Sequence, residues 1–290
     1  MKQLGKALLL VVIGVSGLAQ ESTAPRVAIP LIVSDSHHRP VSVTVESLVI
    51  TDQKILVTGA GLVRGVDLPV ELGVLIDASN SQRSKDLIGI LNAAKQFVGE
   101  IVRSPQDRVF FLTFDVTQHA TEWLKREQLR GITVTVNIGG ATALYDALAM
   151  ACRERMGPRD WQKPVRRVLV LISDGDDNIS HITRDEAASE ALKAGAVIFT
   201  INTEPSGMSY RGAKIMQSLA EVTGGESFSP NNGNDVTKVF RTIRDMTEGM
   251  YCLRYVPPDA LKSAVHEVGV KAAPKEHFKL SYARKYLWNP

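Results

Sequence analysis

Apolar residues follow two patterns along most of this chain. Short continuous runs are typical of buried strands, and sets spaced three or four residues apart are typical of helices with one buried face. The runs lie at Val70–Ile76, Arg108–Phe114, Val168–Ile172, Ala196–Ile201 and Met250–Tyr255. Strands that alternate with helices predict an α/β fold, in which helices cover both faces of a doubly wound, mostly parallel central sheet.

The spaced sets lie between these runs and predict the helices. Two of them have clear helical spacing: Leu87, Ile90, Leu91, Ala94, Val98 and Ile101, and then Leu144, Ala147, Leu148 and Ala151. Thr183 and Glu186 have the spacing of a capping box at the start of a further helix, and Gly195 is well placed to end that helix.

The N-terminal part of the chain has a different pattern. Val27–Val33 and Val41–Leu56 alternate or run apolar around a polar turn, which predicts a small β segment. We therefore divide the chain into a signal peptide (residues 1–19), a small β segment (20–66), an α/β domain (67–248) and a C-terminal β extension (249–290).

The first residues have the pattern of a secretory signal. Lys2 and Lys6 precede the apolar stretch Ala7–Val15, and Gly17 and Ala19 provide small residues for cleavage before Gln20. The stretch is short for a membrane span, although an uncleaved anchor is the alternative. No second apolar span follows, so we expect an exported protein, periplasmic or secreted, without a stable span after cleavage.

Charge and cysteine content add little. The formal net charge is +3, and Lys2 and Lys6 contribute two of these charges, so no nucleic-acid partner is expected. The pair Arg166–Arg167 is interpreted as a solvated strand entry. Cys152 and Cys252 are either a disulfide, which export permits, or two buried free thiols.

Candidate chemistry begins directly behind the first run of the α/β domain. Asp77, Ser79 and Ser81 provide one carboxylate and two hydroxyls at alternate positions. In open α/β sheets, ligands bind beyond the carboxyl ends of the strands. Mg²⁺, Ca²⁺ and Mn²⁺ prefer such oxygen donors, so this position predicts a site for a hard divalent cation.

Two later segments can complete the same site. Asp174 ends the run Val168–Ile172 and precedes a glycine, and Thr142 follows the glycine pair at 139–140. Each piece has an ordinary alternative, because Ser, Asp and Thr also cap helices and Asp-Gly also forms turns. We interpret the polar residues after Asp174 as a solvated rim rather than as ligands: Asp176, Asp177 and Asn178.

At these residues the chain resembles the von Willebrand factor type A domain. The metal-ion-dependent adhesion site of that family uses an Asp-x-Ser-x-Ser motif, a downstream Thr and a further Asp. The matching positions are Asp77, Ser79, Ser81, Thr142 and Asp174. The resemblance extends from Leu68 to Glu248 and implies a bound divalent cation, Mg²⁺ in the first place, with Ca²⁺ or Mn²⁺ as alternatives. It also implies a protein ligand that presents a Glu or Asp carboxylate to the metal.

The flanks resemble the secreted bacterial von Willebrand-related proteins typical of acidobacteria. Tyr251, Tyr255 and Pro257 have the spacing of the Tyr-x-x-x-Tyr-x-Pro strand of that group. The terminal segment at 283–286 lacks the glycine of the group, and Asn80 stands where glycine is commoner.

These patterns favour binding over catalysis, and we expect no enzyme. His181 is the only histidine near a motif, and no zinc spacing or Gly-x-Ser-x-Gly elbow occurs. Two alternatives stay open. One is a scaffold whose partner surface lies on the β segments, and the other is a metal-assisted hydrolase.

Overall fold

The computed structural model describes residues 26–80, 84–136, 138–204, 210–230, 233–274 and 276–289. Its strands are β1 Val27–Ser34, β2 Leu48–Asp52, β3 Ile55–Leu56, β4 Gly61–Arg64, β5 Val70–Asp77, β6 Arg108–Phe114, β7 Gln118–Ala120, β8 Arg166–Ser173, β9 Val197–Asn202, β10 Ser227–Phe228, β11 Met250–Tyr255, β12 Ala264–Ala272, β13 Lys279–Ser281 and β14 Lys285–Trp288. Its α-helices are α1 Ser84–Ile101, α2 Leu144–Met150, α3 Arg184–Ala194, α4 Tyr210–Val222 and α5 Gly233–Glu248.

The central sheet has the strand order β10-β9-β8-β5-β6-β7. All neighbouring pairs are parallel except β6 and β7, which are antiparallel. Successive side chains of a strand point to opposite faces, so the apolar strands form two cores. One core packs against α1 and α5, and the other against α2, α3 and α4. The predicted α/β fold, with helices on both faces of a mostly parallel sheet, is confirmed.

Strand β11 lies outside the central sheet, although its apolar run is like those of the central strands. It is antiparallel to β1 and β4 in a sheet of order β13-β1-β11-β4. A second antiparallel sheet has the order β14-β12-β2-β3. The N-terminal and C-terminal β segments therefore pair with each other, and they share a third hydrophobic core.

The pair Arg166–Arg167 corrects a prediction from the sequence. Arg167 is buried, and its Nε donates to Oε2 of Glu71 at 2.8 Å. Its Nη1 donates to the carbonyl oxygens of Gly157 and Ala194. Glu71 lies opposite Arg167 in the β5–β8 register, so the neighbouring strand supplies the charge partner that makes burial affordable. The interpretation of this pair as a solvated strand entry is wrong.

Three further expectations concern the two cysteines, membrane-spanning segments and the signal peptide. Cys152 and Cys252 are both buried free thiols. Within the described ranges, no helix is long and apolar enough to cross a membrane. The predicted signal peptide, residues 1–19, lies outside the described residues.

A buried polar cluster connects the two terminal β segments. Oδ2 of Asp52 accepts hydrogen bonds from the hydroxyls of Tyr255, at 2.8 Å, and Tyr286. Oδ1 of the same carboxyl lies 2.8 Å from Nδ1 of His266. These four residues come from β2, β11, β14 and β12, and all four are buried. The carboxyl group of Asp52, in the N-terminal β segment, is thus the shared acceptor for three side chains of the C-terminal extension.

We expect Asp52→Ala to lower the free energy of unfolding by about 3 kcal/mol, because buried donors that lose their acceptor keep their full desolvation cost. Chemical denaturation followed by circular dichroism measures this. The matched control is Glu267→Ala, an exposed acid next to His266 in β12, and it should change stability little. Equal stability of the two variants would contradict a structural role for the cluster.

Candidate metal-binding site

The first candidate ligand, Asp77, is the last residue of β5 and is only 1% exposed. Its Oδ1 accepts a hydrogen bond from the backbone N–H of Ser79 at 2.9 Å. Its Oδ2 accepts one from the hydroxyl of Ser173 at 2.6 Å. The second bond follows from the sheet register, because Ile76 lies opposite Ile172 in the parallel pair β5–β8. The carboxyl ends of both strands therefore bring their polar residues to one point.

The second acid, Asp174, directly follows β8 and is 7% exposed. Its Oδ1 accepts a hydrogen bond from the backbone N–H of Asp176 at 3.1 Å. Gly175 has φ +84°, and a Cβ at this position would overlap the backbone of Gly212 in α4. Only glycine allows both this backbone conformation and this close approach. Asp174 and Gly175 thus form a sharp turn at the end of β8.

The glycine loop at 139–140 lies against the segment that follows Asp77. The N–H of Gly139 donates to the carbonyl oxygen of Ala78 at 2.9 Å, and the N–H of Asn80 donates to that of Gly140 at 3.3 Å. Gly140 has φ +75°, and a Cβ here would overlap the side chain of Val116. Two backbone hydrogen bonds thus hold these two loops side by side.

Thr142 is buried, and hydrogen bonds of its main-chain N–H and carbonyl groups attach it to the loop after Asp174. Its carbonyl oxygen accepts from the N–H of Asn178 at 2.9 Å, and its own N–H donates to Oδ1 of Asn178 at 3.3 Å. Helix α2 is capped by another residue, because Oδ1 of Asp177 accepts from the N–H of Leu144 at 2.9 Å. The alternative in which Thr142 caps this helix is therefore not observed, and its hydroxyl makes no hydrogen bond to any described residue.

Asp177 and Asn178 have roles that sequence reasoning missed. They were interpreted as a solvated rim, yet Asp177 is half-buried and holds the start of α2, while Asn178 fastens Thr142. No spacing pattern indicates such roles, since both partners lie more than thirty residues away along the chain. These contacts arise only where the fold brings the loop after β8 against the start of α2.

The structure therefore brings together the loops of four predicted ligands: Asp77, Ser79, Thr142 and Asp174. Ser81 lies outside the described residues. Within the described ranges, no group of three or more His, Cys, Asp or Glu side chains is placed to hold a metal. A cation at this edge would thus depend on hydroxyl oxygens in addition to the two carboxylates. Hard cations such as Mg²⁺ accept oxygen donors of both kinds.

A model of the von Willebrand factor type A domain matches residues 71–242, which is more than half of the chain. The chain belongs to the von Willebrand factor type A family. The central sheet and its helices are the type A domain, and the candidate site lies at the carboxyl edge of that sheet. Among curated proteins, no relative matches the chain.

Solved structures of other proteins share this fold. Proximal thread matrix protein 1 from the mussel byssus, solved with a zinc-occupied MIDAS motif, is 20% identical with a TM-score of 0.50, and the match covers 67% of this chain and 49% of that one. The pilus adhesin SpaC from Lactobacillus rhamnosus GG, in an open conformation, is 9% identical with a TM-score of 0.50, covering 87% and 47%. A von Willebrand factor type A protein from Catenulispora acidiphila is 13% identical with a TM-score of 0.46, covering 92% and 75%. The chain thus spans about half the length of the first two, and these identities show a common fold alone.

The candidate site carries negative charge that no cationic side chain among the described residues neutralises. Neither Asp77 nor Asp174 forms an ion pair with any lysine, arginine or histidine in the described ranges. Burial raises the pKa of Asp77 to about 6, and the charge of Asp174 adds to this effect. Hydrogen bonds from Ser173 and Ser79 act in the opposite direction and do not cancel the cost of burial. The residues present therefore fit a bound cation, which would supply the missing positive charge.

His181 lies close to the site but is engaged elsewhere. Its Nδ1 is 2.7 Å from Oδ2 of Asp146, and its backbone N–H donates to the same carboxyl group. The pair lies on the outer side of α2, and the imidazole is exposed. This contact connects the 177–182 loop to α2 and accounts for His181 without a part in the cation site.

In metal-free protein, we expect Asp77→Asn to raise the melting temperature by a few degrees near pH 7.5 and to change it little near pH 4. The pKa of Asp77 in the folded state, about 6, lies above the unperturbed value of 3.8. Stability is therefore lost as pH rises between these values, and the full loss is present above them. Asparagine has no charge to bury and keeps one acceptor oxygen.

Differential scanning fluorimetry in EDTA at the two pH values measures this difference. The matched control is Asp176→Asn, whose side chain is exposed in the same loop region and should not change the melting temperature at either pH. A variant at Asp77 that melts below the wild type at both pH values would contradict a burial penalty on this carboxyl group.

Proposed function

We propose that this protein binds a divalent cation at Asp77, Ser79, Ser81, Thr142 and Asp174, and binds a protein ligand through that cation. The observation that carries the proposal is the pair of buried carboxyl groups without a positive partner among the described residues. An isolated buried charge is costly, and a metal ion is one of the few partners that can compensate it. Mg²⁺ is the first candidate, with Ca²⁺ or Mn²⁺ as alternatives.

Each side chain would have a separate task in such a site. Ser79, Ser81 and Thr142 would offer neutral hydroxyl oxygens, while Asp77 and Asp174 would supply negative charge from the strand ends. A cation held mainly by neutral hydroxyl oxygens would keep much of its positive charge. It could then bind a Glu or Asp carboxylate of the partner at an open coordination position. The backbone bonds among the three loops hold the described donors in place before a ligand arrives.

The neighbouring structures support this proposal at the level of the fold. The mussel byssus protein holds zinc at its MIDAS motif, and SpaC is a pilus adhesin. A byssus thread and a pilus, which these two names specify, both lie outside the cytoplasm. We therefore propose that the present chain is exported, to the periplasm or beyond, and belongs to the secreted bacterial group of acidobacterial type. Detection of the mature chain only in the cytoplasm would contradict this.

We propose binding rather than catalysis as the role of the site. A hydrolase would need a general base near the cation, and His181, the histidine in the loop after Asp174, is held by Asp146 on α2. Metal-dependent turnover of phosphoesters by the wild type, abolished by Asp77→Ala, would favour a hydrolase instead.

We expect Asp77→Ala and Thr142→Ala to weaken Mg²⁺ binding at least about tenfold, because each removes an oxygen donor from the site. Isothermal titration calorimetry with Mg²⁺, Ca²⁺ and Mn²⁺ measures the loss and ranks the metals. Circular dichroism should show an intact fold, since the site lies on loops above an independent core.

The matched control for the threonine is Thr242→Ala on α5, whose hydroxyl bonds only within its own helix. This variant should bind Mg²⁺ like the wild type. Unchanged Mg²⁺ and Mn²⁺ affinity in Asp77→Ala would show that the site is assigned to the wrong residues.

We expect the immobilised protein to capture partners from the envelope fraction of the parent organism with Mg²⁺ present and to release them in EDTA. Thr142→Ala should fail to capture the same partners, and Thr242→Ala should retain them. Mass spectrometry identifies the captured proteins. Partners that bind equally with EDTA would instead support the scaffold alternative, with a binding surface on the β segments.

A further inference from the structure

Three exposed apolar residues lie on the loops beside the candidate cation site. Val116 is 52% exposed, Ile138 is 44% exposed and Ile179 is 38% exposed. They belong to three different loops, which follow β6, precede α2 and follow β8. Single exposed apolar residues are ordinary on protein surfaces, but a group around a polar centre marks a contact surface.

Hydrogen bonds and packing place each of the three beside the loops that carry the donors. The N–H of Ile179 donates to the carbonyl oxygen of Thr142 at 3.3 Å. Ile138 directly precedes Gly139, whose N–H bonds the carbonyl oxygen of Ala78. Val116 packs on Gly140, since a Cβ on that glycine would overlap the valine side chain. We name these three residues (Val116, Ile138 and Ile179) the apolar rim.

Charge on the same loops restricts the partner further. Asp115 adjoins Val116, and its carboxyl group accepts hydrogen bonds from the N–H and hydroxyl of Thr117 at 2.7 and 3.0 Å. Asp176 is exposed beside the second acid of the site. Further acidic groups of a partner would approach these carboxylates, whereas apolar groups would lose water on contact with the rim.

We propose that the partner presents its carboxylate from a segment whose neighbouring side chains are apolar, rather than from an acidic run. This rests on the proposed function, because the cation site supplies the contact with the carboxylate itself. The rim would then select which exposed Glu or Asp is bound. Carboxylates are common on protein surfaces, so the flanking contacts would provide most of the specificity.

The test uses three fluorescein-labelled peptides that differ only beside a central Glu, which is flanked by two Leu, two Ser or two Asp. Fluorescence anisotropy in Mg²⁺ should give a dissociation constant for the Leu peptide about tenfold lower than for the Ser peptide, a difference that burial of a few apolar groups supplies. The Asp peptide should bind most weakly. A Leu peptide with Gln in place of Glu should not bind.

The variant Val116→Ser/Ile179→Ser should bind the Leu and Ser peptides equally and should keep wild-type Mg²⁺ affinity by calorimetry. The matched control is Val222→Ser, because Val222 is also 38% exposed but lies at the C-terminal end of α4. This control should keep the preference for the Leu peptide.

The two proposals fail in different ways. Absence of Mg²⁺ binding to the wild type overturns the proposed function. Normal Mg²⁺ binding with no preference among the three peptides, or with no peptide bound at all, overturns the role of the apolar rim and leaves the cation site in place.

Discussion

The parallel, in-register pairing of β5 with β8 is the constraint on which the site depends. It places Ile76 opposite Ile172, so that the next residues, Asp77 and Ser173, meet at the carboxyl edge and form a 2.6 Å hydrogen bond. A shift by one residue would turn Asp77 to the other face of the sheet and remove that bond. Gly73 in β5 opposes such a shift, because the side chains of Leu169 and Phe110 occupy the space where a larger residue at this position would place its Cβ. The packing of the core thus sets the position of the polar groups.

This arrangement has an energetic cost that the fold does not recover by itself. Asp77 is buried next to a second acid, and its pKa is raised to about 6 although three hydrogen bonds stabilise its ionised form. A core built for stability alone would hold an uncharged residue here. Local choices that oppose stability are typical of functional sites, where a ligand provides the missing compensation. Backbone groups of the surrounding loops form hydrogen bonds with one another. The unfavourable free energy of burial is therefore concentrated at the two carboxyl groups.

Sequence reasoning found the parts of this protein that follow from local pattern. Apolar runs predicted the central strands. The rule that ligands bind beyond the carboxyl ends of strands predicted that Asp77 and Asp174 lie at the same edge of the sheet. It missed the cap on α2, because Asp177 acts on a helix more than thirty residues earlier in the chain. It also missed the burial of Arg167, whose partner Glu71 lies on a neighbouring strand. Contacts distant in sequence leave no periodic signal, and the pairing of the two terminal β segments is of the same kind.

That terminal pairing matters for how the site can be used. The type A domain is entered at β5 and left after α5, and the side chain of Arg166, at the amino end of β8, bonds the carbonyl oxygens of both Leu68 and Thr247. Both junctions with the β segments therefore lie at the amino edge of the central sheet, opposite to the candidate site. Strands β1 and β11 then hold the two junctions together by antiparallel pairing. Because the junctions lie at the far edge, a partner at the carboxyl edge meets loops of the type A domain without having to separate β1 from β11.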